Sequence, residues 1–349
     1  MPMENFQKGP ETHNSGSNWS EVYARGSSAL DFAKNNWKEI AGVGAIVGTG
    51  AVLIASRGSR LDVLGRLVKS TDAGVGEDLA KLAPDTLRRL KGVDHFVFDL
   101  DRTLVDHDGA LSALTRTMRD ELVRHSGLSD DFVTSALMQT TKRLDSPYFW
   151  NRLDQIQPLQ EKFPGVNLNE RFAAVTKASG EAYYAALKAK PETVELLQTL
   201  REQGKSVHVF TASSQARALE KLHGSGLIGH VDNVYASGLN AFEDTAASGL
   251  HTAQNTTVRV FTLPDRAKGE GTGYQMILDH LATDARRVAM TGDHAVEDVA
   301  HAQRLGIFAS RARWYKDSPA EKVLPDLELT DPSELAKIVR AIAKGGNQL

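Results

Sequence analysis

The chain has 349 residues, of which 41% are hydrophobic and 24% charged, and its formal net charge at pH 7 is −3. This composition is ordinary for a soluble globular protein, and the small net charge gives no reason to expect a nucleic acid as partner. Because the sequence contains no cysteine, disulfides, thiolate metal sites and cysteine nucleophiles are excluded. The composition is consistent with a cytoplasmic protein, and the length predicts about two domains.

The N-terminal region offers no identifiable chemistry. Residues 1–20 are polar and lack a basic head followed by an apolar core, so we expect a disordered tail and no secretory signal. Residues 21–92 are predicted to be mainly helical. Within them, Pro84 suits the first turn of a helix that ends at Gly92.

A glycine-rich apolar segment, residues 40–56, interrupts this region. It fills the 17 positions between Glu39 and Arg57 and carries no charge. As a helix it would be roughly 25 Å long, at the lower edge of what crosses a bilayer. Three interpretations stay open: a membrane or membrane-surface segment, a helix or hairpin packed on the rest of the protein, and a phosphate-cradling loop. The loop is disfavoured because such glycine fingerprints follow a strand, whereas the preceding residues look helical.

The stretch at residues 96–105 is the centre of the sequence. An apolar run at 96–98 predicts a strand buried on both faces, and Asp99 and Asp101 directly follow it. Open parallel sheets bind their ligands at this end of the strands. Two neighbouring carboxylates repel each other unless a cation, a proton or water compensates. The pattern therefore indicates a functional site, with a solvated aspartate-rich turn as the alternative.

Residues 107–190 are helical in pattern almost throughout. Apolar side chains recur at helical spacing, for example at Leu111, Leu114 and Met118. Roughly eighty residues are too many for a connection between two strands of one sheet. We therefore predict a helical module over residues 107–190, inserted into the sheet domain.

Strands and helices alternate in the remainder of the chain. Strands are predicted at 205–210, 231–235, 258–261 and 288–290, and helices at 192–203, 215–223, 273–282 and 295–305. This alternation is typical of right-handed crossovers and a parallel sheet. The predicted fold class is therefore α/β, with a doubly wound, Rossmann-like core formed by residues 93–106 and 191–345.

Polar residues at the four predicted strand ends suit phosphoryl transfer. They are Asp99 with Asp101, Thr211, Lys268, and Asp293 with Glu297 and Asp298. The reaction needs an in-line nucleophile, a cation on the phosphoryl oxygens and hydrogen-bond donors around them. One carboxylate can attack while a second moves protons, and several oxygens with waters make an octahedral Mg²⁺ site. Lys268 is the only lysine between Lys221 and Lys316. If the site uses an ammonium group from this half of the chain, that group must therefore belong to Lys268.

The order and spacing of these segments resemble the haloacid dehalogenase-like hydrolase superfamily over about residues 94–315. The family pattern is Asp-x-Asp-x-Thr, then Thr or Ser, then Lys, then Gly-Asp-x-x-x-x-Asp. The resemblance implies that Asp99 is the nucleophile and Asp101 the general acid/base. It also implies that Mg²⁺ is held by Asp99, the backbone carbonyl of Asp101, and Asp293.

Further roles follow from the same resemblance. It implies that Thr211 and Lys268 bind the phosphoryl oxygens and that Asp298 positions the lysine or a metal-bound water, although Glu297 could fill this last role. The inserted residues 107–190 are similar to the helical cap of the family, which closes over the site, excludes water and selects the substrate.

Two positions depart from the family pattern. Arg102 stands where the family most often has glycine, and we expect its side chain to point to solvent, with contact to substrate as the alternative. Gly269 stands where proline usually follows the lysine. The second aspartate, Asp101, makes the chain less similar to the dehalogenases of the superfamily, so halide displacement is disfavoured.

The sequence therefore predicts a Mg²⁺-dependent phosphatase that hydrolyses a small phosphorylated metabolite through an aspartyl-phosphate. A phosphotransferase or phosphomutase with the same intermediate is one alternative. A non-catalytic scaffold or membrane-tethered module on a phosphatase-like core is another. We expect a cytoplasmic location, while membrane contact through residues 40–56 and a homodimer stay open.

Overall fold

The computed structural model describes residues 84–144, 149–237, 258–315 and 323–345. The predicted tail 1–20, the glycine-rich segment 40–56 and everything else before residue 84 lie outside the described residues. Helix α1 (Pro84–Lys91) confirms the helix predicted between Pro84 and Gly92. Among the described residues, no helix is both long and apolar enough to cross a membrane.

The described residues contain a seven-stranded sheet. Its strands are β1 (His95–Phe98), β2 (Ser206–Ser214), β3 (Asn233–Ser237), β4 (Arg259–Leu263), β5 (Val288–Gly292), β6 (Phe308–Ala312) and β7 (Leu327–Leu329). Their order across the sheet is β4-β3-β2-β1-β5-β6-β7, and every neighbouring pair is parallel. This topology confirms the predicted doubly wound α/β class.

Strand β1 lies at the centre of the sheet because its side chains are apolar on both faces. Phe96 and Phe98 belong to one hydrophobic core and Val97 to the other, since successive side chains of a strand point to opposite faces. The carboxyl end of β1 therefore lies between β2 and β5, and the residues that follow these three strands meet at one edge of the sheet.

The sequence predicted five strands, and they overlap β1 to β5. Strands β6 and β7 were not predicted. Strand β6 contains Ser310 and Arg311, which interrupt its apolar run although both side chains are buried. Strand β7 has three residues and lies at the edge of the sheet, so its pattern is too short to recognise.

Five α-helices lie between β1 and Pro191 in the described residues. They are α2 (His107–Ser126), α3 (Asp130–Leu144), α4 (Gln157–Lys162), α5 (Leu168–Arg171) and α6 (Ala173–Ala186). Helix α2 begins after Asp106, whose Oδ1 accepts a hydrogen bond of 2.9 Å from the amide of Gly109, and ends at Gly127, whose φ of 71° lies in the left-handed region. These helices occupy the segment predicted as a cap, residues 107–190, and its role as a cap stays a prediction.

The remaining helices alternate with the strands. They are α7 (Pro191–Glu202), α8 (Gln215–Gly224), α9 (Thr272–Leu281), α10 (His301–Arg304) and α11 (Pro332–Gly345). The continuous helix predicted over 295–305 is wrong in one respect. Its first part, Ala295–Ala300, is a π-helix, which begins just beyond the two residues that follow β5. Such wide turns are rare and are frequently found at functional sites.

His208 is a titratable side chain buried in the sheet core, with 2% of its surface exposed. Its Nδ1 lies 3.0 Å from Nδ2 of Asn233, and its Nε2 lies 3.2 Å from Nδ1 of His95. Burial lowers the pKa of His208 from its usual 6.5 to about 4. The folded protein therefore holds this ring in its neutral form.

This burial makes stability depend on pH in a defined window. Between pH 6.5 and about 4 the unfolded chain takes up a proton on His208 that the folded chain does not, so the free energy of unfolding falls as the pH is lowered. We expect His208→Gln to reduce the loss of stability between pH 7 and pH 5 by about 2 kcal/mol. Urea unfolding at the two pH values measures this difference. The control His223→Gln, at an exposed position of α8, should show the same loss of stability between pH 7 and pH 5 as the wild type. If His208→Gln also showed this unchanged loss, burial of His208 would not be its cause.

Candidate active site

A tight loop after β1 directs two carboxylates to the carboxyl edge of the sheet. The amide of Asp99 still bonds to the carbonyl of Thr291 on β5, at 2.9 Å. The chain then turns back, because the amides of Leu104 and Val105 both donate to the carbonyl of Leu100, at 3.0 and 3.1 Å. The sequence thus places Asp99 at the end of the strand.

Lys268 forms the centre of the site. Its ammonium group makes ion pairs with Asp99 and with Asp298, the latter at 2.9 Å. All three side chains are buried. Although burial acts to lower it, the carboxylates of Asp298 and Asp99 raise the pKa of Lys268. The lysine is therefore a fixed positive charge beside the predicted nucleophile.

Three carboxylates converge next to this lysine. Asp99, Asp293 and Asp298 each offer one oxygen, and these oxygens lie within 4.8 Å of one another. Burial raises the pKa of Asp293 to about 6, a shift that neighbouring Asp298 reinforces and Arg102 opposes. Burial and the adjacent carboxylates likewise raise the pKa of Asp99, against the effect of Lys268. Carboxylate oxygens at this spacing suit a hard divalent cation such as Mg²⁺, whose charge would relieve their repulsion.

Arg102 lies on this cluster and not in solvent, so the expectation for its side chain is wrong. Its Nε lies 3.1 Å from Oδ2 of Asp293. The residue has a φ of 62°, in the left-handed region that costs a side-chain-bearing residue of order 1 kcal/mol. In this conformation of the loop, the guanidinium of Arg102 is directed at Asp293, a predicted metal ligand.

The side chain of Asp101 belongs to a second network. Nζ of Lys221 donates to both carboxylate oxygens of Asp101, at 2.9 and 2.7 Å, and to Oγ of Ser213, at 2.9 Å. Nδ1 of His107 lies 3.4 Å from Oδ1 of Asp101. Burial acts to raise the pKa of Asp101, but His107 and Lys221 outweigh it and hold this pKa well below its usual range. At neutral pH His107 is itself uncharged, because burial lowers its pKa to about 3. Under that condition the positive charge beside Asp101 comes from Lys221.

The other predicted site residues lie at the same edge of the sheet. Thr211 is buried in β2, and its Oγ1 accepts a hydrogen bond of 3.1 Å from the amide of Ser213. Two acids were considered for positioning the lysine or a metal-bound water. Asp298 is fully buried and forms an ion pair with Lys268, whereas Glu297 is half-buried. Asp298 approaches so closely that a Cβ on Gly292 would lie 2.2 Å from its carboxyl carbon, so only glycine fits at this position.

Sequence reasoning missed the partners of Asp101. Ser213 is two residues beyond Thr211, and Lys221 lies on α8, one turn after Ala218 and directly before Leu222. Both of these neighbours are fully buried. A lysine within a buried helical stripe is unusual, and this signal could have identified Lys221.

The buried pair of Lys268 and Asp298 should show strong energetic coupling. Lys268→Met leaves two buried carboxylates without their cation, and Asp298→Asn removes one of the two carboxylates that compensate Lys268. We therefore expect each change to lower the free energy of unfolding by about 3 kcal/mol, and the double variant to cost less than their sum. Urea unfolding of the four proteins measures the coupling. The exposed pair of Lys177 and Glu181, at 3.9 Å, is the control and should give less than about 0.5 kcal/mol. Additive effects at Lys268 and Asp298 would contradict this account.

Several solved structures resemble the chain. A 2-haloacid dehalogenase from Pseudomonas syringae is 20% identical, covers 71% of this chain and 99% of its own, and has a TM-score of 0.45. A HAD phosphatase from Thermococcus onnurineus is 22% identical, with 71% and 98% covered and a TM-score of 0.45. A HAD-hydrolase from Bacillus subtilis bound to magnesium is 14% identical, with 71% and 98% covered and a TM-score of 0.44. No curated protein sequence matches the chain.

A comparison with models of sequence families also gives a match. The family model described as haloacid dehalogenase-like hydrolase matches residues 93–306, which is more than half of the chain. The match spans β1 to β5, the helices between them and all seven predicted site residues. The chain therefore belongs to the haloacid dehalogenase-like hydrolases.

Proposed function

We propose that the chain is a Mg²⁺-dependent phosphatase that hydrolyses a small phosphomonoester through an aspartyl-phosphate. The observation that carries this proposal is the convergence of Asp99, Asp293 and Asp298 within 4.8 Å of one another, with Lys268 between two of them. A buried nucleophile, a metal-binding set of oxygens and a fixed cation are the components that phosphoryl transfer requires.

The carboxylates fit the proposed metal. Asp99 and Asp293 would hold Mg²⁺ with the backbone carbonyl of Asp101, while Asp298 remains bonded to Lys268 and to the amide of His294, at 2.9 Å. Bound there, Mg²⁺ would supply positive charge to the phosphoryl oxygens. Lys268 and the hydroxyl of Thr211 would donate to the same oxygens and orient the phosphoryl group towards Asp99.

Asp99 and Asp101 divide the proposed chemistry between them. A carboxylate oxygen of Asp99 attacks phosphorus while the ester P–O bond breaks, and Asp101 gives its proton to the departing oxygen. Water then attacks the aspartyl-phosphate, Asp101 takes its proton, and the bond between phosphorus and Asp99 breaks. Lys221 holds Asp101 as the carboxylate, which is the base of the second step. For the first step the incoming phosphate dianion would raise the pKa of Asp101 by like-charge repulsion.

The position of Asp101 favours ester hydrolysis over halide displacement. An alkoxide leaving group needs a proton and therefore a neighbouring acid, whereas a halide ion leaves without one. Asp101 follows Asp99 by two residues and is fixed by Lys221, Ser213 and His107. Displacement of a halide would not need the acid that this network holds beside Asp99.

Removal of the nucleophile tests the proposal. We expect the wild type to release phosphate from members of a phosphomonoester panel in the presence of Mg²⁺, and Asp99→Asn to lower kcat at least about a thousandfold, because an amide oxygen does not attack phosphorus. Phosphate release and phospho-enzyme formation are measured together. Asp131→Asn, an exposed position on α3, is the matched control and should retain activity.

The outcomes of this experiment separate the alternatives. A stable phospho-enzyme that forms without phosphate release would favour a phosphotransferase or phosphomutase. Absence of turnover in the wild type, or unchanged turnover in Asp99→Asn, would contradict the proposal and leave a non-catalytic role.

Arg102 should weaken metal binding. Its guanidinium occupies Oδ2 of Asp293, so Mg²⁺ must approach against a resident positive charge. We expect Arg102→Gly to tighten Mg²⁺ binding on the order of tenfold, since one positive charge is removed from the cluster. Glycine also adopts the left-handed φ of 62° without strain, so the loop should be retained. Calorimetric titration with MgCl₂ and the shift of Tm with Mg²⁺ measure this without any substrate.

A second arginine provides the control for this change. Arg266 also has a left-handed φ, of 64°, and its side chain is exposed. Arg266→Gly should leave the affinity for Mg²⁺ as in the wild type. Equal tightening in both variants, or none in Arg102→Gly, would contradict competition between Arg102 and the metal.

A further inference from the structure

We propose that the protein has a second anion-binding site, for a phosphate group that carries or adjoins a hydroxyl, at the amino end of the sheet. The site is a cavity of about 570 Å³, a volume suited to a small molecule. Its lining includes the cations Arg201, Lys205 and Arg259 and the neutral polar side chains His95, His208 and Asn233. This proposal does not depend on the proposed phosphatase activity.

The cavity is separate from the candidate active site. His95 begins β1, whereas Asp99 directly follows this strand, so four residues of extended chain, about 13 Å, lie between the two positions. Arg259 begins β4, and Asn233 begins β3. The cavity thus lies at the end of the sheet opposite to the carboxylates, where a parallel sheet does not usually bind its ligand.

Positive charge dominates the wall of the cavity. Three cations face one carboxylate, that of Asp232, which lies 3.3 Å from Nη1 of Arg201. Lys205 is paired with Asp94, at 3.2 Å. No carboxylate among the described residues pairs with the exposed guanidinium of Arg259. An anion in the cavity would therefore meet a net positive field, and a guanidinium is suited to bind two phosphate oxygens at once.

The inner side of the cavity offers a hydrogen-bond acceptor that the protein does not use. Asn233 is fully buried, and its Oδ1 has no hydrogen-bond partner among the described residues. Its Nδ2 is committed to Nδ1 of His208, at 3.0 Å, and Nε2 of His208 to Nδ1 of His95, at 3.2 Å. An unpartnered buried acceptor is costly, so a ligand that brings an N–H or O–H group would bind at an advantage.

These two features together select the chemistry of the ligand. Arg259 and its neighbours attract an anion, while Oδ1 of Asn233 accepts a hydrogen bond that the anion must donate. Hydrogen phosphate has such a hydroxyl, and so has a phosphate ester of a polyol. Sulfate is similar in size and charge but carries no proton at neutral pH. The site should therefore prefer phosphate to sulfate.

Titration of the full chain with inorganic phosphate tests the proposal. The imidazole NMR signals of His95 and His208, identified by their loss in His95→Gln and His208→Gln, report on the cavity and not on the candidate active site. The titrations are run in EDTA with phosphate, sulfate and glycerol 1-phosphate, the last to distinguish a free phosphate from a hydroxylated ester. We expect both phosphate compounds to shift the signals, with sulfate at least tenfold weaker.

Two substitutions examine the two features separately. Arg259→Gln, at an exposed position, should weaken phosphate binding at least tenfold, whereas the exposed Arg304→Gln should not. Asn233→Leu should abolish the preference for phosphate over sulfate. If this buried variant does not fold, the ratio of phosphate to sulfate affinity in the wild type decides the role of Asn233. Failure of phosphate to shift the histidine signals, equal binding of sulfate, or unchanged binding in Arg259→Gln would each overturn the proposal.

Discussion

The candidate active site depends on the burial of one ammonium group among carboxylates. Lys268 is in contact with Asp99 and Asp298, and all three side chains are buried. None of these charges could be buried alone, because the loss of hydration would exceed any packing gain. The lysine therefore requires the acids, and the acids require either the lysine or a further cation. This mutual requirement explains why β1, β5 and the loop before α9 must meet at one point.

Every acid of the motif is paired with a cation in this structure. Lys268 pairs with both Asp99 and Asp298, Lys221 with Asp101, and Arg102 with Asp293. Because these cations already compensate the carboxylates, the site is stable without a ligand. A metal ion or a phosphate group that binds must then displace the ion pairs or share their charged groups. In the proposed mechanism Arg102 tunes metal affinity and Lys221 fixes the protonation state of Asp101. Both effects arise from charges that the general motif does not specify.

The two ends of the sheet differ in charge and in chemistry. The carboxyl end collects the acids that follow β1 and β5, and the amino end collects cations from the residues that precede β2 and begin β4. Parallel strands produce this separation because every strand begins at one edge and ends at the other. The proposed anion site uses the edge that the catalytic residues leave free.

Local patterns in the sequence determined the fold class and the position of the candidate site. The apolar run of β1 followed by Asp99 and Asp101, and the alternation of strands and helices, follow from side-chain periodicity, which acts over a few residues. Only the tertiary structure decided that Lys221 bonds to Asp101, 120 residues away in sequence, and that Arg102 turns towards Asp293. Such contacts depend on how distant elements pack. For the same reason β6, with its buried Arg311, and the π-helix at Ala295–Ala300 could not be predicted from their own residues.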